Sequence, residues 1–355
     1  MSVCLGVCCV GLTGVSGVKF LALGLVVGFG LGWFMKPVGT QSVVGHVRFT
    51  LDWAYQGPQA PFLVALYKGF FAEEGLSVTI DRGYGSAKVI SDVAAGMFDA
   101  GFGDINSLIE FKSKNPDAKV KLVAVIHVRS PLSVVTLART GIQTLKDLEG
   151  RRLGAPAGDA ARRVFPALAN AVGVDLNKVE WVTMDVPLRE PMLARGDVDA
   201  VTGFYYTVVL NLLGLEIPEG EVRVFKYGDH LPLLGNGIVV NEDFLRSNPE
   251  AVRRFLKAVV RGIKYAIQNP DDAVEILTMR DPTLNKTVEK ARLIMALEII
   301  NVKGVTDKHG LGYVDQATIE GCIDVVVRTF GLGRKPSLGE IVDLSYLPPL
   351  EYGTP

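Results

Sequence analysis

Side chains that could make or break bonds are scattered along this chain, whereas side chains suited to hold a flat polar molecule recur at one kind of place. The four histidines, His46, His127, His230 and His309, fall in a linker, at a strand end, in a loop and near the tail. They have no metal-ligand spacing, and no serine–histidine–aspartate order stands out. Cys4, Cys8 and Cys9 lie within the first nine residues, so the body keeps only Cys322. That excludes a disulfide within the body and leaves no thiolate set for structural zinc. Cys322 follows Gly321 in an expected helix and reads as a small buried hydrophobe. The pattern points to binding without catalysis, and no cofactor is expected.

The recurring place is the turn between a strand end and a helix start. Asp52 and Trp53 follow the strand Val47–Leu51. An indole there offers a flat face for a heteroaromatic ring, worth about 0.5–1.5 kcal/mol beyond area burial, or else packs the domain. Asp52 either accepts from a ring amine or caps the loop. In Gly83–Lys88 (GYGSAK), Gly85 relaxes the turn, while Ser86 caps a helix over Ala87–Ala95 and, with free backbone N–H groups, receives a polar ligand atom. Tyr84 flanks that ligand or covers the turn. The stretch lacks the third glycine and the Lys-Ser/Thr ending of a nucleotide loop. Asp104 and Asn106 follow the third strand, one expected to cap a helix and the other to face a cleft. Gly158 and Asp159 form the equivalent turn farther along, and Tyr205 and Tyr206 follow the strand ending at Phe204. Asp52, Asp104 and Asp159 together favour a ligand rich in N–H donors over an anion.

The elements that position these residues alternate strictly between Arg48 and Asp104. Expected strands at Val47–Leu51, Leu76–Ile80 and before Asp104 are separated by helices over Pro61–Phe71 and Ala87–Ala95. Strand–helix alternation starts again near Arg152, which implies two similar α/β lobes. A further strand is expected over Val120–Val128. Later helices, including Ala251–Asn269, carry no cleft signature and are expected to close the first lobe.

With 37 basic and 38 acidic residues among 355, the chain has no basic stripe, and a nucleic-acid partner is not expected. Phe20–Met35 (FLALGLVVGFGLGWFM) reads as an export signal or an uncleaved membrane anchor, with a linker over Val38–Gly45. An internal start near Val18 would give a conventional signal, and the placement of Cys8 and Cys9 before the apolar run argues against lipidation.

Four stretches extend this reading: LDWAYQGPQAPFLVALYKGFFAEEGLSVTI, GSAKVISDVAAGMFDAGFGD, TLKDLEGRRLGAP and GNGIVVNEDFLRSNPEAVRRFLKAVVRGIKYAIQNPDDAVEIL. In order and spacing they resemble the extracytoplasmic solute-binding proteins of the sulfonate, nitrate and thiamine-pyrimidine-precursor group, which feed ABC importers. The resemblance implies the α/β, two-lobe, type-2 periplasmic-binding-protein fold with hinge crossovers. It divides the chain into 1–45 (signal or anchor plus linker), 46–139 with 237–355 (lobe 1) and 140–236 (lobe 2). Asn236 then stands at the hinge return, and His127 with Arg129 is near the hinge or simply structural. The LDW form leans toward the pyrimidine-precursor branch, so the implied partners are a small heteroaromatic solute and an importer permease at the outer face of the membrane. Relatives in that branch that synthesise the pyrimidine use a cysteine-rich motif and a reactive histidine, and this body lacks the motif. A synthetic enzyme on the same scaffold and a binder of sulfonate- or nitrate-type anions are the alternatives.

Overall fold

The computed structural model describes residues 45–353, and the chain enters it on β1 (Gly45–Thr50). The expected signal run, the three early cysteines and the alternative start lie outside the described residues. After α1 (Ala60–Tyr67) and α2 (Phe70–Glu73) comes β2 (Leu76–Asp81), which pairs in parallel with β1. The single helix expected over Pro61–Phe71 is two helices, because Gly69 takes a left-handed φ of 78° and ends the first. Strand β2 buries Leu76, Val78 and Ile80 and exposes the residues between, as an edge strand with one covered face does.

The first sheet continues with α3 (Ser86–Ala94), β3 (Ala100–Asp104), α4 (Ile105–Lys114) and β4 (Val120–Val125). Its strand order is β2-β1-β3-β10-β4, where β10 (Asn236–Asn241) returns much later and inserts antiparallel between β3 and β4. The second sheet is built from β5 (Leu132–Leu137), β6 (Arg152–Ala155), β7 (Glu180–Thr183), β8 (Ala200–Phe204) and β9 (Val222–Lys226) in the order β7-β6-β8-β5-β9. Helices α5 (Ala160–Val172), α6 (Arg189–Arg195) and α7 (Tyr205–Gly214) connect them.

Two sheets of mixed pairing with crossovers between them are the two-lobe architecture expected from the sequence. The first boundary differs from expectation. Strand β4 stops at Val125, short of the expected Val128, and β5 already pairs with β8 and β9 of the second sheet. The crossover is therefore 126–131, upstream of the 139/140 boundary read from sequence.

Beyond β10 come α8 (Glu242–Ser247), α9 (Pro249–Gln268), α10 (Pro270–Arg280), α11 (Lys286–Ile300), α12 (Thr306–His309) and α13 (Gln316–Thr329). Helix α9 buries Val252, Phe255, Leu256, Val259 and Ile263 at helical spacing. Phe255 lies 5.2 Å from both Phe49 and Phe71, and Phe62 lies 5.2 Å from Phe49 and 5.0 Å from Phe102. This aromatic chain fastens α1, α2 and α9 to the first sheet. The tail does more than close that lobe. On α11, Arg292 Nη2 donates to Asn211 Oδ1 of α7 at 2.7 Å, while Glu289 accepts from Gly57 N at 2.7 Å. On α13, Ile319, Cys322, Ile323 and Val326 belong to one buried cluster with Leu108 of α4 and Phe165 of α5. Both helices thus span the two lobes.

Candidate functional site

The turns that follow β1, β2 and β6 converge where the lobes meet. Gly85 N donates to Asp52 O at 2.8 Å and Gly83 N to Trp53 O at 2.8 Å, which holds the GYG turn against the exit of β1. Gly85 has φ 116°, and a Cβ built there would stand 2.0 Å from Gly158 O of the other lobe. Glycine is thus required twice, by conformation and by close approach. Ala87 N approaches Gly158 O at 3.4 Å, so the two turns meet backbone to backbone. Other bonds close the seam: Thr207 hydroxyl to Gln56 Oε1 at 3.0 Å, and Arg163 Nη2 to the Glu110 carboxylate at 3.0 and 3.1 Å.

Within the seam is a cavity of about 20 Å³ lined by residues of both lobes. That is room for about one water, far below the several hundred Å³ of typical ligand pockets. Lobe 1 contributes Asp52, Trp53, Gln59, Gly85 and Ser86. Lobe 2 contributes Asp159, Ala160, Arg189, Phe204 and Thr207. A wider outer cleft of about 1190 Å³ lies beyond the Gly85–Gly158 contact, bordered by Tyr84, Lys88, Glu110, Gly158 and Arg163. The buried Asp52, Asp159 and Arg189 belong to the smaller space, which makes it the candidate site.

Asp52 is 2% exposed and accepts from Gln59 Nε2 and Asn236 Nδ2, each at 2.8 Å. Burial without a cation raises its carboxyl to about 6, against the lowering effect of those amides. Facing it, Arg189 is held by Glu190 Oε1 (2.9 Å from Nε, 2.6 Å from Nη2), Thr202 O (3.2 Å) and Asp159 Oδ2 (3.4 Å). Its guanidinium carbon stands 4.9 Å from the centre of the Trp53 ring, a cation–π contact across the seam. Asp159 also caps α5 through Arg162 N at 2.8 Å and accepts from the Thr202 hydroxyl at 2.9 Å. Burial raises its carboxyl, and Arg189 opposes that shift.

Of the residues singled out from sequence, Asp52, Trp53, Gly85, Ser86 and Asp159 line the cavity. Ser86 differs in role: Gly85 is the N-cap, and Ser86 is the first helical residue with no capping bond from its side chain. Tyr84, 55% exposed beneath Arg82, and Gly158 border the outer cleft. Asp104 and Asn106 are not in the cavity lining. Asp104 caps α4 by accepting from Ser107 N (2.7 Å) and Oγ (2.9 Å), and Asn106 Nδ2 donates to Asp104 Oδ2 (3.0 Å) and Leu234 O (2.7 Å). Both side chains are spent within the protein, so neither faces the cleft as expected of one of them. Tyr205 and Tyr206 pack against Ala296 and Ile299 of α11, outside the lining. Asn236 acts through Asp52.

Gln59, Ala160, Arg189, Phe204 and Thr207 were not singled out from the sequence. Gln59, Ala160 and Thr207 obey the same strand-end, helix-start rule that marked their neighbours. Arg189 does not, since it opens α6 after Val186-Pro187-Leu188, and only its burial reveals it. Among the described residues, no group of three or more His, Cys, Asp or Glu side chains could hold a metal ion.

A family described as NMT1/THI5 like matches residues 57–273. Riboflavin-binding protein RibY of Chloroflexus aurantiacus is 24% identical, over 72% of this chain and 73% of its own. The 4-amino-5-hydroxymethyl-2-methylpyrimidine phosphate synthase of Legionella pneumophila is 26% identical, over 76% and 86%. The formylaminopyrimidine-binding protein of Halalkalibacterium halodurans is 26% identical, over 79% and 85%. Among solved structures, the alkanesulfonate-binding protein SsuA from Xanthomonas axonopodis pv. citri superposes with a TM-score of 0.66 at 12% identity, covering 85% of this chain and 97% of that one. The chain belongs to the NMT1/THI5-like family and has the two-lobe, type-2 fold of the extracytoplasmic solute-binding proteins.

Proposed function

We propose that this protein is the extracytoplasmic binding component of an ABC importer, and that it captures a small heteroaromatic solute bearing N–H donors, of the thiamine-pyrimidine class. The observation that carries this reading is Asp52, a buried carboxylate in the interlobe cavity with two amide donors and no cation bonded to it. An amino-substituted ring supplies the donors it lacks. A sulfonate or nitrate would instead need free donors, and Arg189, the cation nearest to hand, is already bonded to Glu190 and Asp159. The names of the two binding-protein relatives, riboflavin and formylaminopyrimidine, support a heteroaromatic ligand.

A ring cannot enter about 20 Å³. Loading therefore requires the Gly85–Gly158 contact to part, and closure over the solute is the signal a permease would read. No helix among the described residues is long and apolar enough to cross a membrane.

The test is calorimetry with 4-amino-5-hydroxymethyl-2-methylpyrimidine, riboflavin and an alkanesulfonate, followed by mass spectrometry of the recovered ligand. Tight binding of the pyrimidine, recovered unchanged, is expected. A sulfonate preference would overturn the ligand class, and a chemically altered pyrimidine would favour a synthetic enzyme like the Legionella relative.

A further inference from the structure

Buried polar atoms in folded proteins are almost always paired, and here five of the six exceptions among the described side chains gather around one residue, the sixth being Arg292 Nε on α11. Gln59 Oε1, Asn236 Oδ1, the Tyr206 hydroxyl and both ring nitrogens of His127 are buried without a hydrogen-bond partner among the described residues. Gln59 and Asn236 must each turn their nitrogen to Asp52, which leaves both amide oxygens unpaired. Burial holds the Tyr206 phenol well above its ordinary range, the Asp52 charge adds to that, and Arg292, itself engaged by Glu289 and Asn211, opposes it. His127 is joined to Asn236 through the backbone, its N–H donating to Asn236 O at 2.8 Å. Its ring lies edge-on to Tyr206 and to Phe204 of the cavity wall, with centroids 6.4 Å away in each case.

We infer that these four side chains form a subsite behind Asp52, at the hinge itself, which receives a neutral side arm of the solute that both donates and accepts hydrogen bonds, such as a hydroxymethyl or aminomethyl group. This inference rests on the function proposed above. The inventory selects the arm. Two amide oxygens only accept, a neutral imidazole has one N–H and one bare nitrogen, and a phenol does both. A carboxylate or sulfonate arm would face two carbonyl oxygens and Asp52. The position links occupancy to closure, because His127 is on the 126–131 crossover, Asn236 opens β10, and Gly235 N donates to His127 O at 2.9 Å. Gln59 comes from lobe 1 and Tyr206 from lobe 2.

The test compares 4-amino-5-hydroxymethyl-2-methylpyrimidine with 4-amino-2,5-dimethylpyrimidine, which lacks only the hydroxyl. Calorimetry is run on the wild type, Tyr206→Phe, His127→Phe and the double variant. The wild type should prefer the hydroxymethyl compound by at least about tenfold, and the double variant by no more than about twofold, with affinity for the dimethyl compound held within about threefold. Nitrogen-labelled histidine in the wild type provides a second readout that needs no variant to fold. The His127 ring signals should move with the hydroxymethyl compound and stay in place with the dimethyl one. Equal wild-type affinities, a preference that survives in the double variant, or His127 signals that ignore the hydroxyl would each overturn the subsite while leaving the proposed function standing. Failure of both pyrimidines to bind the wild type would overturn the two together.

Discussion

The two lobes agree at their bases and differ at their mouths. In lobe 1, Asp99 accepts from the backbone N–H of Arg48 at 2.8 Å and from its Nε and Nη2 at 3.1 and 2.7 Å, while Nη2 also reaches Gly96 O at 3.0 Å. In lobe 2, Asp199 accepts from Arg152 N at 2.8 Å and from Nε and Nη2 at 3.3 and 3.1 Å, and Nη2 reaches Gly196 O at 2.9 Å. Both glycines are left-handed, at φ 74° and 84°. At the mouths, by contrast, lobe 1 offers an uncompensated carboxylate and an indole, and lobe 2 an arginine already matched by two acids. The base is dictated by backbone needs, a strand N–H and the carbonyl of the glycine that follows a helix, so it takes one form. The mouth has no such obligation, and there the lobes diverged.

The largest effect is expected at the lobe 2 mouth. Arg189→Ala leaves Asp159 and Glu190 buried without their counter-charge and should cost about 3–5 kcal/mol of stability, read by urea unfolding. A loss below about 1 kcal/mol would mean that the cluster is hydrated and that Arg189 is free for a ligand.

Next comes the seam. Gly85→Ala adds a Cβ against Gly158 O at a φ that only glycine holds without strain, about 1–3 kcal/mol, so solute affinity should fall by about 10- to 100-fold. Small-angle scattering should show a more open molecule, and an unchanged envelope with unchanged affinity would remove closure from the account.

The two bases, by contrast, should respond alike. Asp99→Ala and Asp199→Ala should each cost about 1–2 kcal/mol, and about equally, because each strips the same backbone N–H of its partner. A large inequality would show that the shared geometry hides different energetics.

The smallest effect concerns the crossover between the lobes. Burial lowers the His127 imidazole to about 3, from 6.5. The unfolded chain therefore takes up a proton that the folded one refuses as the pH falls below 6.5, and native stability declines. His127→Phe should remove about 1 kcal/mol of the loss between pH 7 and pH 5.5, measured by denaturation at both values. Parallel pH curves for variant and wild type would place the ring in contact with water.

Much of this architecture could be read from local pattern. Gly-x-x-Asp-Ala recurs at Gly96–Ala100 and Gly196–Ala200, and the restart of strand–helix alternation near Arg152 already implied the second lobe. Asp52, Trp53, Ser86 and Asp159 were legible because strand ends and helix starts line one edge of an α/β sheet. Asp104 obeys the same rule and still turns inward, since Ser107 supplies both its N–H and its hydroxyl nearby. Arg189 and the Gln59–Asn236 bracket around Asp52 were not legible, because they arise from residues up to 184 positions apart. The 139/140 boundary was misplaced for a related reason: Leu132–Leu137 is buried along its whole length and suits the interior of either sheet.

The insertion of β10 between β3 and β4 has a consequence for how the polypeptide matures. Residues 132–226 form their sheet from one unbroken stretch, so that half can assemble as soon as it is complete. The other half has a gap in its middle until Asn241 has been made, since β3 and β4 are each hydrogen-bonded to β10 and are not neighbours. The later-numbered half therefore finishes first, and the earlier one waits for it with two strand edges unsatisfied, the interval in which a holding chaperone would find its grip.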